Sequence, residues 1–413
     1  FEIFDVVDYG NVKESVYAYV NGIDSTRALI LYNNSYEAAS GRIHTSAPKL
    51  HRTSDGGREI RTTSIAHSLG LTFSDNTYII YEQFPHNLTY IARSNDMYDE
   101  GLHVSLQGYE TKVFLHVREV YDVDGSFEAL FRYLDGKGTA SFDRDLTWIR
   151  MRPLHKALEN FASHSMLDFI HDVVTQEEIT SKDIRKFVLL AGEAYARFST
   201  VYEELSDKTK EALVPIIKEV QPKELLQSIQ HLTACFLSEN NLFLLLSGGI
   251  LIKELPMLIN ASLLLNVFID QRSSYEQALV TVDKLALERM YQQLAPSFGI
   301  DVEYRLRNLL HKAIFLATVP PCIIDELKEE EPDNKKCLTA LLKDTGFRNL
   351  IGYNEHQQVL YYRKESLQEA IYLITLSVAM NVGSVARDRM MTMARAWLVS
   401  DSKAEYKVEG LLT

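Results

Sequence analysis

The pattern of the chain changes once, near Gly125, and that change constrains the fold more than any other feature. Before it, short runs of Val, Ile, Leu and Tyr are separated by Asn, Asp, Gly and Pro. After it, apolar residues recur at every third or fourth position. A strand shows alternate residues to each face, whereas a helix shows one face every third or fourth residue, so the two patterns mark different elements. The expectation is an α+β, multidomain chain: an N-terminal antiparallel β-sandwich over residues 1–124, then a larger all-helical domain over 125–413. A length of 413 residues is enough for a separate core in each.

Within the first part, residues 16–20 and 27–34 read as two strands joined by a polar turn. Branched and aromatic side chains pack well on a pleated surface, and Asn21-Gly22 supplies a residue that tolerates positive φ. Further strands are expected over 77–84, 88–93, 102–106 and 112–120, the spacing of a sandwich or open barrel. The polar, arginine-containing stretch 49–61 reads as an excursion from the sheet. Ser64 to Leu69 reads as a short helix closed by Gly70.

In the helical part, Thr180 with Asp183 and Ser273 with Glu276 have the spacing of a capping box. Residues 352–363 lack helical periodicity and carry Tyr353, Tyr361 and Tyr362, so a loop and a short extended segment are expected before a helix near Lys364. The most apolar segment, 242–269, approaches the roughly 20 residues that a membrane span needs. Lys253, Glu254 and Pro256 interrupt it, which points to a buried pair of helices and to no membrane span.

A net charge of -13 argues against nucleic acid as a partner, because phosphate binding is driven by Lys and Arg. The three cysteines, Cys235, Cys322 and Cys337, have no metal-ligand spacing and suit reduced thiols in a cytoplasmic protein. There is no phosphate-binding glycine loop and no G-x-S-x-G elbow. His164, Asp168, His171 and Asp172 share a helical stripe, but the two imidazoles are about 10 Å apart along the axis, too far to share an ion. Asp122 and Asp124 near Glu119 read as a charged turn. No catalytic residue, metal site or cofactor is expected. Sugars stack on exposed rings, and the aromatic residues least explained by a helical stripe are Trp148, Tyr353, Tyr361 and Tyr362; these are the candidate carbohydrate-binding residues.

Three pieces of the first part carry a resemblance. Val16-Tyr17-Ala18-Tyr19 and Arg27-Ala28-Leu29-Ile30-Leu31-Tyr32-Asn33-Asn34 resemble the first two strands, and Gly108-Tyr109-Glu110-Thr111-Lys112-Val113-Phe114-Leu115 the closing strand, of the β-domain that follows the catalytic barrel in the α-amylase family (glycoside hydrolase family 13). The helical part is similar to the C-terminal extension of large bacterial members. The resemblance implies a catalytic barrel preceding Phe1 in the same polypeptide as partner, and an α-glucan as the substrate of the whole. No position matches the family's catalytic carboxylates, so an accessory, non-catalytic role follows. The alternative is a stand-alone binding or assembly protein whose helical domain recognises a protein or small ligand.

Overall fold

The computed structural model describes residues 1–23, 26–175, 180–204, 254–266, 268–269, 272–382 and 384–412. The α+β arrangement is borne out, with an antiparallel sheet followed by helices. The chain divides into two compact units, 1–150 and 151–413, and the division falls inside the helix Phe142–Ala157.

The first unit is built on β1 (Glu2–Asp8), β2 (Asn11–Val12), β3 (Val16–Asn21), β4 (Ala28–Asn33), β5 (Ala39–Ser46), β8 (Thr77–Phe84), β9 (Leu88–Arg93), β10 (Leu102–Leu106) and β11 (Thr111–Tyr121). They form a single sheet in the order β10-β5-β1-β3-β4-β11-β8-β9, with β2 on β1 and every pairing antiparallel. Its inward residues, from Phe4 and Val6 through Leu29, Leu31 and Ile43 to Val104 and Phe114, make one cluster. The sheet therefore curls around its own core, and one sheet does the work expected of two layers. The helices α1 (Ile65–Leu69) and α2 (Ser94–Asp99) close that core with Ile65, Ala66, Leu69 and Met97. Ser64 caps α1 at its start, and, as expected, Gly70, at φ 77°, ends it in the left-handed conformation.

Strand β8 is buried on both faces. Ile79 enters the curled core, while its neighbours Tyr78 and Ile80 enter a second cluster with Ile91, Leu130, Leu134, Phe142, Leu146 and Ile149. Those last residues come from α3 (Ser126–Leu134) and α4 (Phe142–Ala157), laid on the outside of the sheet. This outer layer is why the first unit runs to Arg150 although strand gives way to helix near Gly125. The 49–61 excursion is a separate hairpin, β6 (Lys49–Arg52) with β7 (Arg58–Arg61), tied to β1 by Lys49 Nζ, which donates to the Phe1 carbonyl at 2.9 Å and meets Glu2 at 3.1 Å.

In the second unit the helix Leu255–Leu265 is buried at every one of its 11 residues, which is why it is apolar all round. Pro256 and Glu254 mark its start, so the polar interruption read in the sequence is a helix N-terminus; the stretch before residue 254 lies outside the described residues. Its one amide, Asn260, is fully satisfied: Nδ2 donates to the Phe161 carbonyl at 2.9 Å and Oδ1 accepts from the Tyr291 hydroxyl at 2.6 Å. The helix packs on Arg305–Ala317 and His164–Thr175, and Lys364–Asn381 and Ser384–Lys403 extend the stack. No helix among the described residues is long and apolar enough to cross a membrane.

Two sequence expectations are corrected here. The capping box belongs to Ser274 and Gln277, one residue beyond the expected pair. Residues 354–361 form a true hairpin, β12 (Asn354–His356) with β13 (Val359–Tyr361); the following helix does begin at Lys364.

Because β8 serves two cores at once, truncation on either face is expected to cost the same unit. Ile79→Ala, at a site with no solvent exposure, should lose about 3 kcal/mol, and Ile80→Ala a similar amount from the other side. A urea titration followed by tryptophan fluorescence and far-UV dichroism checks both; an unchanged midpoint for either would remove β8 from the shared position.

Candidate functional site

The residues that face outward across β1, β3, β4 and β11 are set by alternation. Pairing places Ile3 opposite Tyr19, Tyr19 opposite Ile30, and Ile30 opposite Val113 in one row; Tyr17, Tyr32 and Thr111 form the next. The alternate positions, Phe4, Ala18, Leu29 and Leu31, lie in the core. The inward residues hold the strands in place, and the outward row therefore presents its rings from a rigid support. Tyr17 is 54% exposed and stacks on Tyr32 with centroids 6.4 Å apart and planes 14° apart. Phe1 leans on Tyr19 at 5.1 Å. The Tyr32 hydroxyl donates to Asn34 Oδ1 at 3.3 Å, so a polar group borders the rings. Aromatic side chains with an apolar face and a hydrogen-bonding tip are the residues most used at wet binding surfaces.

The end of this face is locked by Asn33, the residue that closes β4. Its side chain is fully buried, and Nδ2 donates to the carbonyls of Glu37 at 2.7 Å and Gln107 at 3.0 Å. Its own N–H donates to the Glu110 carbonyl at 3.0 Å, and Tyr109 N–H reaches Ser35. Gly108 passes so close to Tyr36 that a Cβ there would lie 2.2 Å from its carbonyl oxygen. Residues 27–34 and 108–115 thus meet at one junction.

A second polar feature borders β8. Glu128 on α3 accepts from the Tyr78 hydroxyl, from Arg93 and, at 2.6 Å, from Arg132 Nε. Arg93 first, then Tyr78, holds the Glu128 carboxyl down at about 2. Burial above all, and then the hydrogen bond to Glu128, pushes the Tyr78 phenol up to about 12. An acid that never carries a proton near neutrality cannot deliver one, so Glu128 is a latch fixing α3 to the sheet rather than a general acid. This latch borders an open cleft of about 780 Å³.

The expected sugar contacts are divided between the two units. Trp148, in the first unit, is half-buried on α4 and meets Tyr133 edge to face at 4.7 Å. In the second unit Tyr353 carries the Arg348 guanidinium over its ring at 4.7 Å, and Tyr361 is half-buried at the end of β13, opposite Asn354. Tyr362 is corrected: it is 3% exposed and donates its hydroxyl to the buried Asp401 at 2.8 Å, which leaves no face for a sugar. The tyrosines of β3 and β4 were read as strand formers alone; the signal that marks them as a surface is that Tyr17, Tyr19 and Tyr32 share the parity of Ile30, opposite to that of the core residues. The His164 stripe holds no metal-binding group among the described residues, and His164 instead meets Ser297 at 2.8 Å. Asp122 accepts from the Glu128 N–H and Asp124 from the Ser126 N–H, as a charged turn at the start of α3 would.

No protein family, curated protein or solved structure matches the chain.

The latch gives a pH dependence of known sign. The Glu128 carboxyl is depressed from 4.5 in the folded state, so its contribution is complete above that value and is lost as pH falls toward about 2. With solvent screening allowed for, it amounts to about 2 kcal/mol. Glu128→Gln is expected to lower stability by that amount at pH 7 and by much less at the acid end; equal losses at both would refute the latch.

Proposed function

We propose that the first unit is a non-catalytic binding module that lays an α-glucan along the outward face of Phe1, Tyr17, Tyr19 and Tyr32, as the accessory region of an α-amylase-like glycoside hydrolase whose catalytic barrel precedes it. The observation that carries this reading is the stacked Tyr17–Tyr32 pair on rigid, core-anchored strands. A pyranose has an apolar C–H face edged by hydroxyls, and a ring with a polar border suits both parts of it. Two of the three sequence pieces that resemble the α-amylase family pack against each other at Asn33, which supports the reading from a second side. Ile3, Ile30 and Val113 lie between the rings and make part of the face aliphatic, a composition equally suited to the barrel of the same polypeptide. The free thiols Cys322 and Cys337 accord with a reducing, cytoplasmic setting.

Affinity electrophoresis of the full chain through gels containing amylose or glycogen tests the sugar arm. Retardation is expected, and Tyr17→Ala or Tyr32→Ala should each weaken it by roughly 2- to 12-fold, the equivalent of about 0.5–1.5 kcal/mol per ring. Migration unaffected by any α-glucan would end the glucan reading.

A further inference from the structure

At the end of the curled sheet where the β3–β4 turn meets α1, an open cleft of about 720 Å³ collects basic and hydroxyl side chains from four segments of the chain. Arg27 comes from the start of β4, His51 and Arg61 from the β6–β7 hairpin, Thr62 from the strand exit, and His67 and Ser68 from α1. This concentration is unexpected in a chain of net charge -13. Its volume falls in the range of small-molecule sites, roughly 300–1,000 Å³.

The charges in the cleft are unevenly spent. Arg61 pairs with Glu59, and the one carboxylate among the described lining residues, Glu2, is taken by Lys49 at 3.1 Å. Arg27, by contrast, is half-buried and has no hydrogen-bond or ion-pair partner among the described residues. Its guanidinium lies over Gly70, where a Cβ would come within 1.7 Å of Nη1 and displace it from this position. The same residue, at φ 77°, closes α1, so one glycine both ends the helix and admits the cation. The Ser68 hydroxyl, in the wall of the cleft, is buried with no partner. The imidazoles of His51 and His67 also have none among the described residues. A partly buried arginine side chain with no counter-ion among the described residues is costly to hold, and an orphaned buried hydroxyl adds to the cost. Both costs are removed by a ligand that is anionic and accepts several hydrogen bonds at once.

We propose that this cleft binds a phosphoryl anion, as a phosphate monoester of a small molecule or as free phosphate. A guanidinium matches phosphate oxygens with two parallel N–H donors, and the surrounding hydroxyls and imidazoles supply further donors to a tetrahedral group. The cleft has only Phe1 in common with the outward aromatic face, and the proposal does not depend on the glucan reading.

Titration calorimetry of the full chain with inorganic phosphate, glucose 6-phosphate and glucose is the test. Both phosphates, and not glucose, are expected to bind. Arg27→Gln should weaken them at least about 10-fold, about 1.4 kcal/mol. The exposed His67→Gln, which disturbs no packing, should weaken them about threefold. Tighter binding of glucose 6-phosphate assigns the site to an ester, and tighter binding of inorganic phosphate assigns it to the free anion. Silence with both phosphates at about 10 mM, glucose binding as well as its phosphate, or wild-type affinity in both variants would overturn the proposal. Far-UV dichroism of each variant separates lost binding from lost fold, and His67→Gln decides if Arg27→Gln does not fold.

Discussion

Strand β8 is the element on which the first unit depends. It has Ile79 in the curled core and Tyr78 with Ile80 in the layer beneath α3 and α4, so neither core exists without it. Most antiparallel strands of a small sheet bury one face and wet the other. Here the wet face is covered by helices, and the phenol that points into it is held by a carboxylate with two arginines. The polar contacts at Glu128 and the apolar contacts around Ile80 therefore act together on the same face of β8.

Most of this architecture was legible in the residues. The strands 77–84, 88–93 and 102–106 have the expected bounds, because Gly, Asn and Pro punctuate them and branched residues fill them. Gly70 marked the end of α1 because glycine, having no Cβ, tolerates the left-handed conformation. What could not be read was how the strands close: alternation fixes which residues face inward, but nothing local says whether inward faces meet across two sheets or around one. The hairpin at 354–361 was hidden for a different reason. Its two strands are three residues each, too short for alternation to stand out from a loop. The capping box was misplaced by one because two consecutive serines, Ser273 and Ser274, both have a suitable partner three residues on.

The candidate site shows the same division. Aromatic residues outside a helical pattern invite a stacking role, yet Tyr362 is a buried anchor for Asp401. The tyrosines of β3 and β4 were already explained as strand formers, and that explanation concealed their exposure. Parity is the recoverable signal. On a strand whose alternate residues are Ala18, Leu29 and Leu31, an intervening tyrosine faces out, and two such strands in register bring rings side by side. A slip of one residue would exchange the two sets, so the junction at Asn33 and Gly108 protects the surface as well as the core.

The wholly buried helix Leu255–Leu265 has a consequence for biosynthesis. Its covering helix Arg305–Ala317 lies about 40 residues later in the chain, and the next layer, Lys364–Asn381, is further still. At ribosomal speeds of roughly 5–20 residues per second, an uncovered strip of leucine and isoleucine waits several seconds for its partners. Over that interval the nascent chain presents a surface of the kind that chaperones hold, while the sheet of the first unit, complete by residue 150, can already have folded.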